Sequence, residues 1–182
     1  MKAVSNIESS TNPSLQDISH GTALAMLDGM SRTRIASPEL RARTERLQQR
    51  TFDFAKRVLD LCPRRFVDEP SKVIWQQLVR SAPSASGMLE EADEASSDDD
   101  FIYKMKVVLR ETKESKRWLK FIAACELQQH KSLSQLPDEA RQLSAIFATI
   151  VRNTEDRVER ERANRDRRPA RGAGKHPDLG IR

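Results

Sequence analysis

The stretch from Phe101 to Ile122, FIYKMKVVLRETKESKRWLKFI, decides the fold of this chain. Apolar and small residues recur in it every three or four positions, which is the spacing of one face of an α-helix. They are Phe101, Met105, Val108, Thr112, Ser115, Leu119 and Ile122. A stripe of this kind has to be covered by other elements. The pattern therefore predicts a helix that buries Leu119 in a core and leaves Lys113 exposed.

A second set of residues repeats with the same spacing on a different face of this helix. Its members are Lys106, Arg110, Lys113, Arg117 and Lys120. Such a face can neutralise backbone phosphates without a base-reading motif. It can equally be a solvated surface that pairs in part with Glu111 and Glu114 of the same helix. The residues alone leave both interpretations open.

Two helices are predicted before this one. Ser37-Pro38-Glu39 is typical of a helix start, and the apolar stripe that follows ends before Pro63. A second helix is predicted after Pro70, with Ser71 as its cap. It carries two adjacent apolar stripes, which indicates two packing neighbours, and we interpret this as a sign of self-association.

A fourth helix is predicted to open near Pro137-Asp138-Glu139. No segment alternates with a period of two, and only 5% of the residues are aromatic, so no sheet is expected. Four helices with short connections favour an all-α, antiparallel up-down-up-down four-helix bundle. We assign this bundle to residues 37–156, between a flexible N-terminal extension, 1–36, and a basic disordered tail, 157–182.

The formal net charge of +5 is concentrated in that tail. Residues 157–182 contain nine Lys or Arg and four Asp or Glu, so residues 1–156 are neutral overall. Arg-rich disordered segments bind RNA or DNA with little sequence preference, although a solubilising tail is the other interpretation. The candidate binding residues are Arg160, Arg162, Arg165, Arg167, Arg168 and Arg171.

Cellular location is predicted from what the sequence lacks. The N-terminus has no apolar signal core, and the longest apolar run, Phe121–Cys125, is too short to span a bilayer. We therefore predict a cytoplasmic protein without membrane contact. Cys62 and Cys125 are interpreted as reduced thiols in the core.

No catalytic pattern is present in the sequence. We find no glycine-rich phosphate loop, no metal-ligand spacing of Cys or His, and no nucleophile–base order. The acidic stretch Glu90–Asp100 lacks the spacing of a calcium loop and is better explained by helix capping. We predict a protein that is not an enzyme and that needs no cofactor or metal.

Several segments resemble the four-helix bundle family of proteins encoded in 23S rRNA intervening sequences, which includes the accessory protein of diversity-generating retroelements. They are Leu78-Val79-Arg80-Ser81-Ala82, Ser86-Gly87-Met88-Leu89-Glu90, Phe101-Ile102, Leu109-Arg110-Glu111-Thr112-Lys113-Glu114 and Trp118-Leu119. The chain departs from the family pattern at Gly87, where Asn is usual, and at Glu91, where Gly is usual.

The resemblance implies a homopentamer with a basic surface that binds nucleic acid, and a reverse transcriptase as a further partner. Combined with the basic residues above, it predicts a non-enzymatic oligomeric accessory protein for RNA or DNA. The alternative is an oligomeric protein–protein interaction module with no role in nucleic-acid binding.

Overall fold

The computed structural model describes residues 37–128 and 130–167, which form four helices. They are α1 (Pro38–Leu61), α2 (Glu69–Asp93), α3 (Asp98–Ala124) and α4 (Leu136–Asp166). A short 3₁₀ turn, Lys131–Ser134, precedes α4. The described residues contain no β-strand, so the prediction of an all-α, four-helix protein is confirmed. The predicted extension 1–36 lies outside the described residues.

Helix starts are set by side chains that accept hydrogen bonds from free backbone N–H groups. Ser37 caps α1 as predicted, because its Oγ accepts from the Leu40 N–H at 3.2 Å. The predicted cap of α2 was wrong: Asp68, and not Ser71, is the capping residue. The two form a capping box, in which the Ser71 N–H donates to Asp68 Oδ1 at 2.8 Å. These hydrogen bonds hold the pKa of Asp68 below its ordinary value.

The helices pack in chain order, and α4 closes the arrangement against α1. Polar contacts join the second half of α1 to the start of α4, where Arg50 Nε lies 2.6 Å from Glu139 Oε1. They also join the start of α3 to the second half of α4, where Arg157 Nη2 lies 2.8 Å from Asp98 Oδ1. These contacts place the start of α4 beside the second half of α1, and the second half of α4 beside the start of α3.

The core consists of the apolar faces that the periodicity predicted. Every residue of the α3 stripe is buried, and Leu119 is fully buried while Lys113 is exposed. The largest fully buried side chains come from all four helices: Phe54 and Val58 of α1, Trp75 and Leu78 of α2, Met105, Val108, Leu119 and Ile122 of α3, Leu136, Leu143 and Phe147 of α4. The core prediction is confirmed.

Both stripes of α2 are used inside the single chain. Trp75 and Leu89 are buried on one side, and Leu78 and Ala85 on the other, because α2 packs against both α1 and α3. The two stripes therefore have a sufficient explanation within one protomer, and they do not by themselves indicate a second copy.

Small residues bring α2 and α3 close together. Ser81 Oγ and Ser115 Oγ lie 2.8 Å apart in the buried interface. One of the two hydroxyls donates to the other, and the accepting hydroxyl donates its own proton to a helix carbonyl, which is Glu111 O at 2.9 Å if Ser115 accepts. Neither buried polar group is left unsatisfied. Nearby, Gly87 is exposed and an added Cβ would meet open space, so the departure from Asn there is not required by packing.

Both cysteines are free thiols, as predicted, but only Cys62 is even partly buried. Cys62 is half-buried, and burial raises the pKa of its thiol. Cys125 is exposed, so its placement in the core was wrong. The physical reason is that α3 ends at Ala124, and Cys125 caps the helix beyond the last buried turn.

Helix α4 continues well beyond the predicted boundary at residue 156. It ends at Asp166, so the assignment of 157–166 to a disordered tail was wrong. Ion pairs with the first turn of α3 stabilise this extra length: Arg157 pairs with Asp98, and Arg162 Nη2 lies 2.8 Å from Asp99 Oδ1. The remainder of the predicted tail, 168–182, lies outside the described residues.

Candidate functional site

The five predicted basic residues of α3 form one continuous row on the outer side of the bundle. Lys106, Arg110, Lys113, Arg117 and Lys120 are all exposed. From the first to the last, the row extends about 21 Å at 1.5 Å per helical residue. We call these five residues the α3 basic row.

The two ends of the row differ in how their charges are balanced. Near the start of the helix, Lys106 Nζ lies 2.6 Å from Glu155 Oε1 of α4, and Arg110 Nη2 lies 2.9 Å from Glu111 Oε1. Within the described residues, Lys113 and Lys120 have no carboxylate within ion-pair distance. Positive charge is therefore least compensated in the second half of α3.

Two exposed aromatic side chains, which were not predicted as site residues, lie among these charges. Tyr103 is 67% exposed and Phe121 is 47% exposed, near the two ends of the row. The spacing could have indicated this, because Tyr103, Arg110 and Arg117 follow one another at intervals of seven residues and share a helix face.

One aromatic cluster is held in place at the end of α3. The Trp118 Nε1–H donates to Glu114 Oε1 at 3.0 Å. The Trp118 ring lies 5.7 Å, centroid to centroid, from the Phe121 ring, and the Arg117 guanidinium lies 5.7 Å from the Trp118 centroid. These distances fit an aromatic pair and a cation–π contact.

The second predicted set of arginines is only partly described. Arg160, Arg162, Arg165 and Arg167 are exposed at the end of α4, whereas Arg168 and Arg171 lie outside the described residues. Arg162 is already paired with Asp99. The Arg160 Nε–H donates to the Asp156 carbonyl at 2.8 Å.

Arg157 was not among the predicted binding residues, and the structure gives it a different role. Its side chain is only 18% exposed and forms ion pairs with both Asp98 and Glu161. These carboxylates raise its pKa above the ordinary value, with the hydrogen bond to Asp98 as the main cause. Arg157 therefore anchors α4 to α3 and is not a free surface charge.

The structure brings the two basic sets along one side of the bundle but not into one compact patch. The α4 arginines lie beside the first turn of α3, to which Arg162 is bonded. Lys106, the near end of the row, lies about 12 Å beyond Asp98 along the helix, and Lys120, the far end, lies about 33 Å beyond it. A ligand that contacts the α4 arginines and the whole row must therefore span about 33 Å.

Other kinds of site find little support in the described residues. They contain no group of three His, Cys, Asp or Glu side chains that could hold a metal ion. A small cleft between α1 and the other helices is mainly apolar; its lining includes Leu47, Leu89 and Phe101. No helix in the described ranges combines the length and the hydropathy that a bilayer-spanning segment needs.

The fold and the surface define a class, an all-α four-helix bundle protein with a basic outer face on its third helix. The chain belongs to the 23S rRNA-intervening sequence protein family, whose model matches residues 43–149. A solved structure from Bacteroides thetaiotaomicron, described as a protein of unknown function from the S23 ribosomal protein family, is similar in fold. Its TM-score is 0.52 at 23% identity, over 60% of this chain and 97% of that chain. No curated protein matches the sequence.

Proposed function

We propose that this chain is a non-enzymatic, self-assembling accessory protein that binds RNA or DNA through the α3 basic row and the arginines of α4. One observation carries the proposal: the row is exposed over its whole length, and no carboxylate in the described ranges lies within ion-pair distance of Lys113 or Lys120. A helix face that only contacts solvent needs no excess of positive charge, whereas a face that binds a phosphate backbone does.

The ion pairs already present in the row do not argue against binding. Lys106–Glu155 is a surface pair, and such pairs contribute about 0–1 kcal/mol. A phosphate group can therefore replace the carboxylate at little cost. The description of the family refers to 23S rRNA and is compatible with an RNA ligand.

Salt dependence provides the first test. If the contacts are mainly to phosphates, log affinity should fall linearly with log salt, by about 0.7–0.9 per neutralised phosphate. A chain that ends at Asp166 keeps the Arg157 and Arg162 ion pairs and should bind more weakly with a smaller slope. Fluorescence anisotropy with labelled RNA and DNA measures both quantities. Absence of binding at low salt would contradict the proposal and favour the interaction module.

Self-association is the second part of the proposal, and an apolar row on α1 supports it. Phe52 is 51% exposed and Leu59 is 48% exposed, seven residues apart on one helix face. Two large apolar side chains on one face are a typical contact between subunits. The family resemblance favours five copies. A ring would repeat the basic row several times and strengthen its electric field.

The expected result is an oligomer of defined mass that depends on this face. Light scattering at micromolar concentration should give several copies for the parent chain and a monomer for the double variant Phe52→Lys/Leu59→Lys. The variant Val73→Lys is a suitable control, because Val73 is 50% exposed on a different helix, α2. A monomeric parent would contradict the assembly.

The alternative, a protein–protein interaction module, is favoured by the same exposed apolar side chains of α1. In that case the nucleic-acid affinity should be absent while the assembly persists. A reverse transcriptase is the protein partner that the family resemblance suggests for the nucleic-acid-binding accessory protein. Co-purification of such an enzyme with the parent chain would therefore favour the proposed function over this alternative.

A further inference from the structure

We infer that the outer face of α3 selects single-stranded nucleic acid, with bases stacked on Tyr103 and Phe121 and the backbone phosphates bound by the basic row between them. This inference rests on the proposed function and narrows it from nucleic acid in general to strands with unpaired bases. Tyr103 and Phe121, with Arg110 and Arg117 between them, form a face that combines aromatic rings with positive charges.

The positions of these residues follow from helix geometry. Steps of seven residues lead from Tyr103 to Arg110 and from Arg110 to Arg117, and a step of four leads on to Phe121. Seven residues make almost two turns, so the four side chains lie close to one line along the helix. The two aromatic rings are about 27 Å apart along the axis. The line is long enough for several nucleotides.

The exposure of the two rings leaves their surfaces available for contact with a ligand. Tyr103 is 67% exposed and Phe121 is 47% exposed, although aromatic rings are generally more stable when covered. Each has basic side chains within one turn of the helix: Lys104 and Lys106 near Tyr103, and Arg117 and Lys120 near Phe121. Aromatic rings interleaved with cations are the combination that binds single strands, since the rings stack on bases and the cations bind phosphates.

The Phe121 end of the face is held in position before any ligand arrives. The hydrogen bond from Trp118 Nε1 to Glu114 fixes the indole, against which Phe121 packs at 5.7 Å. Arg117 is placed over the same indole. A rigid arrangement loses little conformational entropy on binding, which favours affinity.

A duplex fits this face less well than a single strand. In a duplex the bases stack on one another and present only their edges, so an aromatic ring on a protein surface cannot stack on them. A single strand exposes the faces of its bases, and every base can stack on an aromatic ring. We therefore expect a preference for single strands with little sequence specificity.

A second copy of the chain is a less suitable occupant of the same face. Two copies that met through this row would bring like charges together, which is unfavourable at an interface. The exposed residues Phe52 and Leu59 of α1 provide an apolar contact without that repulsion. Charge thus favours a polyanion on α3.

The test compares two labelled oligonucleotides of equal length and charge, oligo(dT) and the same backbone with abasic sites. The parent chain should bind oligo(dT) at least about tenfold more tightly, given the typical strength of base–aromatic stacking. In the variant Tyr103→Leu/Phe121→Leu the two affinities should become nearly equal. The matched control, Tyr103→Phe/Phe121→Tyr, retains both rings and should behave like the parent.

Each outcome has a distinct meaning. Equal binding of both probes by the parent overturns the stacking inference and leaves phosphate binding intact. Binding of neither probe overturns the proposed function as well. If the leucine variant changes the oligomeric mass in light scattering, the face is a contact between copies, and the inference is wrong. If the leucine and the aromatic variants both retain the preference for oligo(dT), the bases stack elsewhere.

Discussion

Reversing two charges of the α3 basic row, Arg110→Glu and Arg117→Glu, should abolish nucleic-acid binding while helical content and oligomeric mass stay unchanged. Both side chains are exposed, so their replacement leaves no cavity. The two new carboxylates would repel phosphates at the centre of the row. In an oligomer the same change is repeated in every copy, which makes the loss larger than in one chain.

A matched control separates the position of the charge from its total. The variant Arg64→Glu/Arg65→Glu alters the net charge by the same amount, at two residues in the connection between α1 and α2. It should retain most of the affinity at moderate salt, because long-range fields are screened within about 10 Å at 0.1 M. Anisotropy titrations measure affinity, and circular dichroism measures helical content. Parent-like affinity in the α3 variant would show that the row is only a solvated face.

Replacing Leu119 by alanine should lower the free energy of unfolding by about 2–5 kcal/mol. Leu119 is fully buried, and its side chain lies in the core formed by all four helices. Its truncation removes apolar contacts and leaves a space that neighbouring side chains fill only in part. For a domain of this size the loss corresponds to a decrease in melting temperature of about 4–20 °C.

The control for this prediction lies on the exposed side of the same helix. Lys113 is exposed, and Lys113→Ala should change the free energy of unfolding by no more than about 0.5 kcal/mol. Urea unfolding followed by circular dichroism measures both variants. Similar shifts in the two midpoints would mean that α3 is rotated relative to the described packing.

The core residues of this protein could be predicted well, because the buried face of a helix follows from the spacing of apolar residues along the sequence. In α3 and α1, residues three, four and seven positions apart share a face, so spacing alone assigns Leu119, Val108, Phe54 and Val58 to the core. The capping residue of a helix is harder to predict, because several nearby residues can accept the same backbone hydrogen bonds. Asp68 and Ser71 can both cap, and the capping box that includes both residues decided the start of α2.

The basic row is a property of one helix, so its exposure followed from the position of the apolar stripe on the other side. Its charge balance did not, because Lys106 pairs with Glu155, a residue far away in the sequence. The aromatic residues Tyr103 and Phe121 were missed for a related reason. An aromatic residue in a helix is usually assigned to a core, and its exposure is known only once the neighbouring helices are placed.

The amino-acid sequence by itself thus determined the helical class, the buried faces, the basic row and the family of this protein, since all of these depend on local spacing and residue type. Only the tertiary structure decided where α4 ends, that Cys125 is exposed, and which arginines form ion pairs. Arg157 and Arg162 connect the last turns of α4 to α3 by pairing with Asp98 and Asp99, residues about 60 positions away. Such pairs form because folding brings distant charges together, and no local pattern contains that information.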